Sequence, residues 1–291
     1  MDPSPTDTSK AGYKRLWRHS YRLGFSWLRR TARHGFQPGR KPGFQRLLVP
    51  LDPWRYYEMG TLADREFSGL CLDVSSPKLL TSLLQREGSG DWLGIDLFTN
   101  EIAAWKTIDP ALKLEVQDAT ALPYEDDCFD YALCVSVVEH MGRGNDTSAL
   151  REIHRVVKPG GTLYLTTMVA AEGHDVFVGD EIYGNASERV DEGRVFFEHV
   201  YSSEEFAEMT REAGWTTTEL EYAVQSRPKI QDRFYRFAPF SYLVGPWLRL
   251  WFPRTITTSS NSDAVTSLPD GRSAIVSVTL VKPSTEREAS T

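Results

Sequence analysis

The chain has 291 residues, of which 41% are hydrophobic and 25% charged, and its formal net charge is −7. This composition allows a buried core and excludes a collagen-like or wholly disordered chain. The charge is unevenly distributed, because residues 1–51 contain eleven Lys and Arg but only two Asp, which leaves a net charge of −16 on residues 52–291. We therefore expect a basic segment attached to an acidic globular domain.

The three cysteines, Cys71, Cys128 and Cys134, are odd in number and lack a paired C-x-x-C spacing. This pattern supports neither a disulfide framework nor a metal site, and it favours a reducing compartment. The first ten residues hold acids and prolines where a signal peptide has basic residues and an apolar run. The apolar stretch 237–252 is too short and too interrupted to span a bilayer. We expect a cytoplasmic protein, with membrane association left open.

The N-terminal region divides into three parts. Residues 1–12 are polar and expected to be flexible. Residues 13–33 place aromatic and aliphatic side chains at steps of three and four, opposite a stripe of Lys and Arg, which predicts an amphipathic helix. Residues 34–46 contain two prolines and three glycines and are expected to form a linker.

From residue 47 to residue 283, short apolar runs alternate with amphipathic segments, a pattern typical of a parallel α/β sheet. The predicted helices cover 53–66, 78–87, 99–107, 147–157 and 203–213. The predicted strands cover 69–73, 92–96, 113–117, 129–136, 162–169, 215–224 and 274–281. Residues 171–199 and 226–262 are expected to be insertions, the first of them irregular, and residues 284–291 a flexible tail.

Acidic residues mark the ends of the first three predicted strands: Asp73, Asp96 and Asp118. In open parallel sheets, ligands bind beyond the carboxyl ends of the strands. A carboxylate after the second strand can accept hydrogen bonds from two ribose hydroxyls, and Asp118 with Ala119 can meet the edge of an adenine. The pattern indicates an adenosine-containing ligand. The alternative for each carboxylate is a cap on the following helix.

Two further segments carry a family pattern. Residues 118–130 contain D-A-x-x-L-P followed by F-D, and residues 150–161 read L-x-E-x-x-R-V-x-K-P-G-G. Together they resemble the class I S-adenosylmethionine-dependent methyltransferases, in particular the small-molecule group. The resemblance covers about residues 69–225 and the strand 274–281. It implies a doubly wound, mostly parallel seven-stranded α/β sheet with the last strand antiparallel and helices on both faces. It also implies S-adenosyl-L-methionine as cofactor and a small-molecule or lipid-like acceptor.

The loop after the first strand departs from the family pattern D-x-G-x-G-x-G, because Ser75, Pro77 and Leu79 stand where glycines are expected. Proline supplies neither a positive φ nor an N–H group. Either the hydroxyls of Ser75 and Ser76 replace the backbone contacts, or the fold has lost its cofactor and serves as a binding or scaffold protein. A nicotinamide-dependent oxidoreductase is disfavoured, because its own glycine-rich loop is also missing.

The resemblance implies cofactor contacts from eight residues near the strand ends: Asp73, Ser75, Ser76, Asp96, Leu97, Asp118, Ala119 and Ser136. Methyl transfer depends mainly on positioning, and only some acceptors need a base. Candidates for a base are Glu139 and His140 after the fourth strand, and Glu198 and His199 before the helix that begins at 203.

Three interpretations of the helix 13–33 remain open: contact with an anionic membrane, contact with nucleic acid phosphates, or a lid over the cofactor cleft. Nucleic acid is the least favoured. The aromatic-rich segment 234–252 is expected to be a substrate cap, a dimer face, a membrane contact or an extra core layer. Peripheral membrane contact through both segments is therefore an expectation, and the oligomeric state is not predicted.

Overall fold

The computed structural model describes residues 8–34, 53–142, 144–179, 194–226, 255–269 and 271–284. Its helices are α1 (Thr8–His34), α2 (Pro53–Ala63), α3 (Lys78–Glu87), α4 (Thr99–Ile108), α5 (Asn145–Val156), α6 (Ser203–Glu212) and α7 (Asp263–Thr266). Its strands are β1 (Leu70–Val74), β2 (Asp91–Asp96), β3 (Lys113–Val116), β4 (Phe129–Val135), β5 (Val157–Ala170), β6 (His174–Val178), β7 (Val195–Ser202), β8 (Thr216–Gln225), β9 (Ile256–Ser259) and β10 (Ala274–Val281). A short 3-10 turn covers Val138–His140.

The strands join in one mixed sheet with the main order β3-β2-β1-β4-β5-β10-β8-β9. β1 to β5 pair in parallel, and β10 lies antiparallel between β5 and β8. The predicted arrangement, mostly parallel with an antiparallel last strand, is confirmed for these seven strands. The count of seven was too low, because β6, β7 and β9 also pair within the sheet.

The prediction that residues 171–199 are irregular is wrong at both ends of that range. β6 and β7 form an antiparallel pair there, with His174 opposite Val200, and β7 continues beside the end of β5. Glycine and acidic residues interrupt the apolar alternation, so the sequence pattern hides both strands. The predicted linker, the aromatic-rich segment 234–252 and most of the tail lie outside the described residues.

Helices cover both faces of the sheet, and successive strand residues face different cores. Along β4, Leu133 and Val135 belong to the core under α1 to α4, whereas Ala132 and Cys134 belong to the core under α5 and α6. The first core contains large side chains from the helices: Leu16, Trp27, Met59, Leu80 and Trp105. The second is built similarly: Leu150, Ile153, Phe206 and Met209. These contacts confirm the expected doubly wound architecture.

The predicted amphipathic helix is α1, and it packs on α2, α3 and α4. Arg30 donates hydrogen bonds to the carbonyls of Thr107 and Ile108 at the end of α4, at 2.8 and 2.6 Å. His19 Nε2 lies 2.7 Å from the hydroxyl of Ser82 in α3. These contacts place α1 on the outer side of the helix layer, which disfavours its interpretation as a lid over the strand ends. Among the helices described, none has the length and apolar character of a bilayer-spanning segment.

The L-x-E-x-x-R segment of α5 holds the loop that follows β3. Arg155 donates to the carbonyls of Leu122 and Tyr124, at 2.9 and 2.8 Å, and its guanidinium pairs with Glu152 at 2.8 Å. Glu152 in turn accepts a hydrogen bond from the backbone N–H of Leu122 at 2.9 Å. The segment therefore acts on the fold, because it fixes the loop that begins at Asp118.

Candidate functional site

The parallel strands β1 to β4 end at one edge of the sheet, and the predicted cofactor-binding residues lie there. Asp73 pairs in register with Gly94 on one side and with Leu133 on the other. Asp96 is the last residue of β2 and pairs with Val116 of β3. Because neighbouring parallel strands are about 4.8 Å apart, these strand ends form one continuous rim.

Asp73 is fully buried and shapes the loop after β1. One carboxylate oxygen accepts a hydrogen bond from the backbone N–H of Ser76 at 2.9 Å, and the other accepts one from the hydroxyl of Thr81. Both carboxylate oxygens of Asp73 are therefore hydrogen-bonded within the loop after β1 and the helix α3. Asp73 would influence a ligand indirectly, because it fixes the conformation of that loop.

Ser75 adopts a backbone conformation that the family pattern assigns to glycine. Its φ is +53°, in the left-handed region, and its N–H donates to the carbonyl of Ile95 at 3.0 Å. Pro77, with a φ of −56°, lies directly before α3. The hydroxyl of Ser76 is directed inward, where it accepts a hydrogen bond from the N–H of Val135 at 3.0 Å. The loop therefore keeps a left-handed backbone at Ser75, the first glycine position of the family pattern, and the hydrogen bond of Ser76 joins the loop to β4.

A buried lysine under this loop was not found by sequence reasoning. Lys78 is only 1% exposed. Its ammonium donates to the carbonyls of Ser76 and Ile95, at 3.0 and 3.1 Å. It also lies 3.4 Å from a carboxylate oxygen of Asp73 and 3.7 Å from one of Asp96. The available signal was a single Lys followed by apolar helix positions and preceded by a strand-end acid.

Asp96 lies between this lysine and the rim. Its Oδ1 accepts a hydrogen bond from the N–H of Phe98 at 3.0 Å. Burial raises the pKa of Asp96 above its ordinary value, while the positive charge of Lys78 acts in the opposite direction. The next residue, Leu97, is 50% exposed, so an apolar side chain borders the rim beside a nearly buried carboxylate.

Asp118 follows β3 and is exposed. Its Oδ1 accepts hydrogen bonds from the backbone N–H and the hydroxyl of Thr120, at 2.8 and 2.7 Å. Ala119 is buried beside it. Asp118 thus caps its own turn and presents its carboxylate to solvent, next to the loop that Arg155 holds.

A second polar cluster lies after β4, and its central residue, Glu58 of α2, was also missed. Glu58 is 1% exposed. Its Oε1 accepts hydrogen bonds from the hydroxyls of Ser136 and Thr166, both at 2.6 Å, and its Oε2 lies 2.9 Å from Arg55. Ser136 has a φ of +51°. An acid inside the mostly apolar helix α2 was the only sequence signal.

Glu139 and His140 lie in the 3-10 turn beside this cluster. Glu139 is 1% exposed and accepts a hydrogen bond from the hydroxyl of Thr167 at 2.9 Å. Burial raises the pKa of Glu139 to about 8, and the negative charge of Glu58 contributes in the same direction. His140 donates from Nδ1 to the carbonyl of Phe197 at 2.7 Å, and burial lowers its pKa.

His199 lies on β7, within a different set of contacts. Its Nδ1 is 2.6 Å from a carboxylate oxygen of Asp175, and its Nε2 is 3.8 Å from one of Glu205. Burial raises the pKa of the neighbouring Glu198. The structure therefore groups Glu139 and His140 with the Glu58 cluster, and it pairs His199 with acids of β6 and α6.

A surface cavity of about 720 Å³ lies at the opposite edge of the sheet. Its lining includes Leu70, Asp91 and Lys113, the first residues of β1, β2 and β3. It is thus at the amino ends of the strands, and it contains none of the residues of the strand-end rim.

Comparisons with known proteins bear on this arrangement. Residues 72–165 match the family model described as a methyltransferase domain. No curated protein matches the chain. Similar solved structures include the [4+2]-cyclase SpnF, with 20% identity over 75% of this chain and 76% of that one, at a TM-score of 0.47.

Two further similar structures are methyltransferases. Phosphoethanolamine N-methyltransferase 2 of Haemonchus contortus, in complex with S-adenosyl-L-methionine, has 18% identity over 75% of this chain and 50% of that chain, at a TM-score of 0.48. An S-adenosylmethionine-dependent methyltransferase from Methanosarcina mazei has 13% identity over 74% of this chain and 92% of that chain, also at 0.48. These similarities assign no acceptor to the chain.

The matched segment begins in β1 and ends in β5, so it contains all four strand ends of the rim together with the loops that follow β1 to β4. The part of the chain that carries the rim therefore matches a methyltransferase domain.

Proposed function

We propose that the chain transfers a methyl group from S-adenosyl-L-methionine to a small-molecule or lipid-like acceptor, in the cytoplasm or at its membrane surface. One observation carries the proposal: Asp96 ends β2, Asp118 follows the adjacent strand β3, and the half-exposed Leu97 comes directly after Asp96. Carboxylates in this order suit a ribose and an adenine, and an apolar side chain suits the face of a purine ring.

The residues at the rim fit the adenosine part of the cofactor. Asp96 would receive the ribose hydroxyls and is held for that role by Phe98 and Lys78. Asp118 and Ala119 would border the adenine. Ser75, with its left-handed backbone, would face the methionine part, while Asp73 and Ser76 maintain the loop from within.

Bound S-adenosyl-L-methionine supplies a methyl group on a positively charged sulfonium, so the protein's part is mainly to position the acceptor and to exclude water. The cluster of Glu58, Ser136 and Thr166 lies after β4, beside the expected methionine end. Its hydrogen bonds at 2.6 Å hold the Glu58 carboxylate in a fixed orientation. We assign Ser136 to the cofactor side of this cluster and Glu58 to its support.

Three of the four candidate bases, Glu139, His140 and His199, have different surroundings. Glu139, with a pKa of about 8, holds its proton at neutral pH, so it serves as a hydrogen-bond donor before it serves as a base. His140 donates from Nδ1 to the carbonyl of Phe197, so the basic lone pair of the neutral ring is on Nε2. His199 has the geometry of an imidazole oriented by a carboxylate, through Asp175. For an acceptor that must lose a proton, His140 and His199 are the bases that we propose.

An alternative function is favoured by Lys78. Its ammonium lies beneath a loop that lacks the family glycines, and it already neutralises Asp73 and Asp96. A protein that had lost its cofactor would keep such an internal ion pair for stability alone. In that case the domain is a non-catalytic binding or scaffold protein.

Calorimetric titration with S-adenosylhomocysteine separates the two functions. We expect binding, and we expect Asp96→Asn to weaken it at least tenfold, because one amide cannot replace a carboxylate toward two hydroxyls. The matched control is Asp91→Asn, at the opposite end of the same strand, which should bind as the unchanged protein does. No heat of binding at millimolar ligand would refute the transferase function and support the scaffold.

A further inference from the structure

The helix α1 separates its positive charges into two sets. Its sequence contains eight Lys and Arg and no acid. Arg15 and Arg30 are engaged within the protein, since Arg15 pairs with Asp64 at 2.9 Å and Arg30 donates to a carbonyl at the end of α4. Five of the remaining six are exposed and make no ion pair among the residues described: Lys14, Arg18, Arg22, Arg29 and Arg33.

The exposed cations form a continuous stripe. They are separated by four or seven residues, which corresponds to one face of a helix at 3.6 residues per turn. Folding does not explain the stripe, because the opposite face of α1 already supplies the buried contacts, including Leu16, Leu23 and Trp27. The basic face is therefore available to a partner.

Two large apolar side chains accompany the stripe. Phe25 is 52% exposed and Leu28 is 38% exposed, and they are the two large hydrophobic residues of α1 on its solvent side. Phe25 lies between Arg22 and Arg29 along the helix, in the middle of the basic face. Apolar residues set among cations suit a lipid headgroup region, where rings insert while guanidinium groups meet phosphates.

We propose that this face of α1 docks the protein on an anionic membrane surface. The charge of the rest of the chain supports a membrane over a nucleic acid. Residues 52–291 carry a net charge of −16 and would repel a nucleic acid that extends along the domain. A flat membrane surface would contact α1 alone. The inference goes beyond methyl transfer and names where the protein would act.

Co-sedimentation of the full chain with vesicles tests the proposal. We expect binding to vesicles of phosphatidylglycerol and phosphatidylcholine, and much weaker binding to phosphatidylcholine alone. Arg22→Gln combined with Arg29→Gln should weaken binding about 30-fold, given the usual contribution of each cation near such a surface. Phe25→Ser should weaken it about fivefold, since half of the ring remains to be buried.

The matched control is Arg151→Gln combined with Arg211→Gln, which removes the same charge from exposed positions on α5 and α6, under the opposite face of the sheet. This control should bind vesicles as the unchanged protein does. Equal binding by the Arg22/Arg29 variant would overturn the proposal. So would binding to duplex RNA at the same salt concentration together with no binding to vesicles, which would identify a nucleic acid partner instead. Titration with S-adenosylhomocysteine on the same samples reports the cofactor site separately, so the two proposals fail independently.

Discussion

The ammonium of Lys78 lies 3.7 Å from a carboxylate oxygen of Asp96, and both residues are almost fully buried. An internal ammonium is costly unless charges and hydrogen-bond acceptors surround it. Lys78 has both, because Asp73 supplies a second carboxylate and two backbone carbonyls accept its protons. The lysine thereby links the loop after β1 to the end of β2.

Lys78→Met is expected to lower the free energy of unfolding by about 3 kcal/mol at neutral pH, because it leaves Asp73 and Asp96 buried without a cation. Urea denaturation measures this change. The matched control is Lys113→Met, at the start of β3, where Lys113 pairs in solvent with Asp91 of β2. Removal of this exposed pair should change stability by less than about 1 kcal/mol.

The cost of Lys78→Met should also depend on pH. Burial raises the pKa of Asp96 in the folded protein, and loss of Lys78 raises it further. A carboxyl group whose folded pKa is raised retains a proton that the unfolded chain has released, so stability falls as pH rises above about 4. The free energy of unfolding of the variant should therefore be closer to that of the unchanged protein at pH 4.5 than at pH 7.5. An equal gap at both pH values would show that Asp96 does not depend on the lysine.

Glu139 provides a second test of pH dependence. Its folded pKa is about 8, so between its ordinary value of 4.5 and pH 8 the folded state holds a proton that the unfolded state has lost. Stability of the unchanged protein falls over this interval relative to Glu139→Gln, which stays neutral. We expect the difference in free energy of unfolding between the two proteins to change in favour of Glu139→Gln by up to about 1.4 kcal/mol per pH unit, and to level off above pH 8. The exposed Glu125→Gln should show no such trend in urea denaturation.

Most of the sheet could be predicted because its strands are short apolar runs between turn residues. The predicted bounds of α3 and β10 agree with the structure at both ends. In contrast, β6 and β7 pair through residues such as Asp175 and Glu198, whose side chains carry no strand signal. Their pairing depends on contact with β5 and the 3-10 turn, which only the tertiary structure supplies.

The strand-end acids were predictable for a similar reason, since Asp73 and Asp96 directly follow apolar runs and Asp118 begins the D-A-x-x-L-P pattern. Glu58 and Lys78 were not, because each is a charged residue in a helix, where solvent exposure is the usual outcome. Their burial depends on partners far away in the chain. Glu58 meets Ser136 across 78 residues, and Lys78 meets Ile95 across 17.

Ser75→Gly restores the residue that the family pattern has at this position. The φ of +53° costs a non-glycine residue about 1 kcal/mol, whereas glycine adds a smaller entropy cost to folding. We therefore expect unchanged or slightly higher stability, by up to about 1 kcal/mol, with affinity for S-adenosylhomocysteine retained.

Ser76→Gly is the matched control in the same loop. It removes the hydroxyl that accepts the hydrogen bond of the Val135 N–H and should lower stability by about 1 to 2 kcal/mol. If Ser75→Gly lowered stability as much as this control does, the left-handed conformation would not be the feature that matters at Ser75.

Glu58→Ala tests whether the cluster after β4 supports the cofactor site. The substitution leaves the hydroxyls of Ser136 and Thr166 without their acceptor, and we expect a loss of about 3 kcal/mol of stability. Because Ser136 would no longer be held, affinity for S-adenosylhomocysteine should fall about tenfold, measured by calorimetry at a temperature where the variant is folded. Glu219→Gln, which alters an exposed pair with Arg65, should change neither quantity appreciably. A destabilised Glu58→Ala protein with unchanged affinity would restrict Glu58 to the stability of the fold and would leave Ser136 without a demonstrated part in the site.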